Sequence, residues 1–66
     1  MKREELIAKG EKQLNYIKQK VEQSNTEEAK KNWAMRGSAN LEMLDYILDE
    51  AYENFGNYFG FFEKYI

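Results

Sequence analysis

Residues 33–66 read WAMRGSANLEMLDYILDEAYENFGNYFGFFEKYI, and this half of the chain decides the fold. Within it Ala34, Gly37, Leu41, Leu44, Leu48, Ala51, Phe55, Tyr58, Phe62 and Tyr65 alternate three and four apart without a slip. Side chains at that spacing stack on one side of a helix with ~3.6 residues per turn. Trp33, Ile47 and Phe61 flank the stripe on one side, Tyr52 and Phe59 on the other. The chain has 66 residues, no proline and six β-branched side chains, so little in it opposes helix.

Two signals cut across the stripe. Arg36-Gly37-Ser38 sets a cation, a glycine and an N-cap candidate in succession, while the apolar phase survives across it. The helix therefore either runs through or breaks at 36–38. Asn54-Phe55-Gly56-Asn57 is a stronger ending, because Gly56 can adopt the left-handed C′ conformation and Asn57 can cap a final turn. The pattern predicts a helix over about 26–55 and a short aromatic element over about 57–65.

Working outward to the N-terminus, Ile7, Leu14 and Val21 recur every seven residues, with Ile17 in the intermediate register and Leu6 beside Ile7. This narrow seam predicts a helix over about 3–23. Gly10 falls on the seam and marks a close helix approach. Ser24-Asn25-Thr26-Glu27 reads as a turn, with capping-box spacing at Ser24 and Glu27 and again at Asn25 and Glu28. The expectation is a single all-α domain: a helical hairpin or three-helix bundle with a short aromatic C-terminal helix.

Lengths bear on assembly. A first helix of ~21 residues spans ~31 Å, and a continuous 26–55 helix ~45 Å. In a simple hairpin Ile17 faces the region of Trp33, and Ile7 that of Met43 and Leu44. Leu48, Ala51 and Phe55 then overhang, to be covered by the tail, a second copy or another protein. A homodimer is expected on this ground. Trp33 is read as a core residue near the turn.

Composition narrows the function. Without His or Cys, the commonest general base, the commonest metal ligand and the best nucleophile are missing. The four glycines stand singly, so no phosphate-cradling loop forms. No cofactor or metal site is expected, and the chain reads as no enzyme. The absence of cysteine and of any long apolar run reads as a soluble protein of the cytoplasm, the host cytoplasm if a phage encodes it.

Charge divides unevenly. Residues 1–39 hold nine basic and six acidic groups, residues 40–66 one basic and six acidic, which together give the net −2. Glu42, Asp45, Asp49 and Glu53 share one stripe of the predicted second helix, flanked by Glu50 and Tyr46. This acidic, Tyr-bearing face suits a partner with a basic surface, and a row of carboxylates can imitate nucleic-acid phosphates. Phe59, Phe61 and Phe62 close the core or anchor a partner. The basic half carries Lys9, Lys12, Lys20, Lys30 and Lys31 with Tyr16 among them, but Glu11, Glu22, Glu27 and Glu28 interleave. Direct nucleic-acid binding is therefore disfavoured.

In size, charge division and lack of catalytic groups the chain resembles the small phage-encoded inhibitors of host proteins, anti-CRISPR proteins among them. The resemblance is of general character and covers no motif. It implies a non-catalytic inhibitor or regulator docking its acidic helix on a larger, basic, nucleic-acid-binding type of protein. The alternatives are a homo-oligomeric helix bundle or antitoxin-like partner, and a weak nucleic-acid binder acting through the basic half.

Overall fold

The computed structural model describes residues 2–48 and 51–66, with the backbone alone for Ala51 and Tyr52. The described residues form three packed helices, α1 (Arg3–Gln23), α2 (Glu27–Leu48) and α3 (Ala51–Glu63), and no strand. Each helix contacts both others. The body measures 38 × 16 × 15 Å, the length of one long helix.

The turn between α1 and α2 is held by short-range polar contacts. The Ser24 hydroxyl donates to the Lys20 carbonyl at 2.6 Å, and the Ser24 N–H donates to the Val21 carbonyl at 3.2 Å. Lys30 Nζ reaches back to the same Val21 carbonyl at 3.2 Å. These donors satisfy carbonyls that a helix C-terminus leaves open. The cap of α2 is Thr26, whose Oγ1 accepts from the Ala29 N–H at 3.0 Å. Neither Ser24 nor Asn25 fills that role. Ser24 is occupied in closing α1, which leaves the N-cap position one residue before Glu27 to Thr26.

α2 runs without interruption through Gly37 and is described as far as Leu48. The expected helix end at 54–57 coincides with a kink that divides α3 into two helices, although Gly56 itself is helical. The backbone does bend one residue earlier: Phe55 adopts φ −125°, ψ 22°, outside helical values. α3 then returns along the hairpin. Phe55 and Leu44 lie over Gly10, the Phe62 ring lies against Gly37, and the Lys18 ammonium sits over the Phe61 ring at 5.2 Å.

The core follows from that return. Leu14, Ile17 and Val21 of α1, Ala34, Leu41, Leu44 and Leu48 of α2, and Phe55 and Phe62 of α3 are buried. Two glycines make it possible. A Cβ on Gly37 would stand under 3.0 Å from three atoms of the Phe62 ring, and one on Gly10 would stand 3.0 and 3.1 Å from the Leu44 methyls. Gly37 is therefore a seat for an aromatic ring, not a break. Of the residues expected to overhang, Leu48 and Phe55 are buried within the single chain. Trp33 is half-buried and packs against the core from its edge.

Candidate functional site

The outward face of α2 is the first candidate. Tyr46 is 87% exposed, Met43 65% and Ile47 55%. Glu42 is exposed and Asp45 half-buried within the same two turns. Met35, about two turns before Glu42, is exposed as well. Of Met43 and Leu44, the pair that the hairpin register sets against the region of Ile7, Met43 is turned to solvent. The neighbouring Leu44 takes the inward position over Gly10 instead. Apolar spacing alone missed Met43 and Ile47 as surface residues, because helix α2 has more large apolar side chains than its two contacts can bury.

Three residues of the expected acidic stripe fall within the described residues. Glu42 and Asp45 lie on α2, whereas Glu53 is exposed on α3. Asp49 and Glu50 lie outside the described residues. The aromatic tail serves the core: Phe62 is fully enclosed, and Phe59 and Phe61 pack against the core while partly exposed. Phe62 is thus no exposed anchor, since its ring fills the space above Gly37.

A second constellation lies where α1 and α2 meet near their turn. The Tyr16 and Trp33 rings stand edge to face, centroids 6.3 Å apart at 85°. The Arg36 guanidinium lies over Trp33 at 5.0 Å, and the Lys20 ammonium over Tyr16 at 5.3 Å. Asn40 Nδ2 donates to Gln13 Oε1 at 3.2 Å, bridging the two helices. Two shallow depressions of about 260 and 210 Å³ flank Trp33, the first lined by Ala29, Asn32 and Arg36, the second by Gln13, Tyr16, Ile17, Arg36 and Asn40. The opposite flank of α1 meets α3. There burial, and secondarily the Glu11 carboxylate, raise the Tyr58 phenol above its ordinary 10.0.

No family model, no curated protein and no solved structure matches the chain. Among the described residues no helix is long and apolar enough to cross a membrane.

Proposed function

We propose that the chain is a non-catalytic protein-binding module, a small inhibitor or regulator, which docks the outward face of α2 on a basic surface of a larger protein. The observation that carries this reading is the concentration of exposed Met43, Tyr46 and Ile47 beside Glu42 and Asp45. Solvent gives no reason to gather large apolar side chains in two turns, and such clusters mark interaction sites. Tyrosine at the centre suits a binding hot spot. The carboxylates beside it favour a cationic partner and speed its approach. Imitation of nucleic acid is the finer version of this reading, and competition between the chain and an oligonucleotide for the captured partner tests it.

The experiment uses affinity capture from the source cell, followed by binding kinetics on the captured protein. Changing Glu42 and Asp45 together to Lys is expected to weaken binding at least tenfold, about 1.4 kcal/mol. The loss should fall mainly on the association rate and shrink at high salt. Tyr46→Ala should instead raise the dissociation rate. Unchanged affinity in both variants would reduce the face to a solvated surface.

A further inference from the structure

The basic half looks compromised in sequence because carboxylates interleave with its lysines, yet the folded chain separates the two. Gln13, Tyr16 and Lys20 follow one another three and four apart, as do Trp33, Arg36 and Asn40 on α2. The Tyr16–Trp33 and Gln13–Asn40 contacts show that these two strips face each other. On α1, Glu4, Glu11 and Glu22 fall in the register of Lys18, whose ammonium lies on Phe61 of α3. They are therefore turned to the other flank. No Asp or Glu stands three or four residues from Tyr16, Lys20, Trp33 or Arg36. The nearest carboxylates in register are Glu28, a turn before Asn32, and Glu5, a turn before Lys9.

We infer that this α1–α2 groove binds single-stranded nucleic acid, a function separate from the outward face of α2. Three features meet there. Trp33 and Tyr16 offer aromatic surface beside shallow depressions, and aromatic platforms of this kind stack bases without regard to sequence. Lys20 and Arg36 lie over the same rings, and a base that stacks there displaces these flexible side chains toward the rim, where they meet the flanking phosphates. The Gln13–Asn40 amide pair offers donors and acceptors for base edges. From Gln13 to Lys20 the groove is ~10 Å long, about three nucleotides of a stacked strand at ~3.4 Å each. The chain's net charge of −2 does not oppose this, because six of its twelve acidic groups stand at positions 42–63 and three more, Glu4, Glu11 and Glu22, share the register of Lys18.

Titration of a fluorescein-labelled oligothymidylate with the intact chain, read by anisotropy and by quenching of the single tryptophan, tests the inference. Saturable binding at low ionic strength is expected, with Trp33 emission quenched. Tyr16→Ala should weaken it about tenfold or more by loss of a stacking surface. Lys20→Gln with Arg36→Gln should weaken it and flatten the salt dependence by ~0.7 in log–log slope per lost phosphate contact. Lys64→Gln, which removes an exposed cation elsewhere, should leave it unchanged. Circular dichroism keeps each variant's fold in view. Absence of binding at low salt overturns the inference, as does full affinity in both groove variants. Displacement of the oligonucleotide by polyglutamate at equal charge would also overturn it and make an acidic protein the occupant.

Discussion

α2 packs against α1 on one flank and α3 on the other, and the two seams are filled differently. Toward α1 the seam is aliphatic, with Leu14, Ile17 and Val21 buried on α1 and Leu44 of α2 over Gly10, and it has a polar and cationic fringe at Gln13–Asn40 and around Trp33. Toward α3 the seam is aromatic, with Phe62 pressed on Gly37 and Tyr58 stacked on Phe62 at 6.4 Å and 28°. The first seam spreads its burial over many small contributions. The second concentrates it in the Phe62 and Tyr58 rings and in Gly37. A short chain gains from that concentration, because aromatic rings bury ~150–250 Å² each and a core of this size has few positions to spend.

The comparison breaks most sharply at Phe62. Phe62→Ala should cost ~3–5 kcal/mol, the usual range for a fully buried phenylalanine. A small single-core domain has roughly that much stability in total, so the variant should be largely unfolded by circular dichroism at room temperature. Ile17→Val, on the aliphatic seam, should cost only ~0.5–1.5 kcal/mol in a urea melt. If Phe62→Ala melts within a few degrees of the parent, α3 contributes little and the aromatic seam is a surface feature.

Glycine substitutions sharpen the same contrast, and they should differ in sign. Gly37→Ala forces the rigid Phe62 ring off its seat, at ~1–3 kcal/mol for overpacking. Gly60, inside α3, has nothing within 4 Å of a built Cβ. There Gly60→Ala should stabilise the chain by ~0.5–1 kcal/mol through helix propensity alone. Paired denaturant melts of the two variants read the difference directly. Equal effects of the same sign would mean that Gly37 is chosen for its backbone and not for the ring above it.

The aliphatic seam was legible in the sequence, because Ile7, Leu14, Ile17 and Val21 keep a heptad spacing that local geometry alone dictates. The all-α class and the place of the first turn followed from the same local rules. The return of α3 was not legible in that way. Gly37 carries the same stop signal whether a helix ends there or a distant ring needs room, and only the position of Phe62, twenty-five residues on, separates the two. The bend at Phe55 was legible, since Asn54-Phe55-Gly56-Asn57 carries a local ending signal there. The outward position of Tyr46 was readable, whereas the exposure of Met43 and Ile47 depends on how many flanks α2 has neighbours for. The Tyr16–Trp33 groove needed the hairpin register, and so the separation of its cations from Glu4, Glu11 and Glu22 could not be seen in a linear charge count.

The smallest effect bears on where α1 meets the aromatic seam. Burial first, and the Glu11 carboxylate second, hold the Tyr58 phenol protonated above its ordinary 10.0. In the unfolded chain the phenol loses its proton near 10, so above that pH the unfolded state binds fewer protons than the folded one. Stability then falls as pH rises, since its slope follows protons bound unfolded minus folded. The contribution is fully present below about pH 10 and is lost as pH climbs from there through the raised folded value. Tyr58→Phe keeps the ring on Phe62 and removes the ionisable group. Its urea midpoint should therefore differ from the parent's by a constant amount below about pH 10 and gain on it above. Glu11→Gln should soften the parent's alkaline decline by a smaller amount, having removed only the secondary cause. Parallel midpoints for parent and Tyr58→Phe across the whole range would mean that the phenol stays in water, and that the seam closes around Phe62 without it.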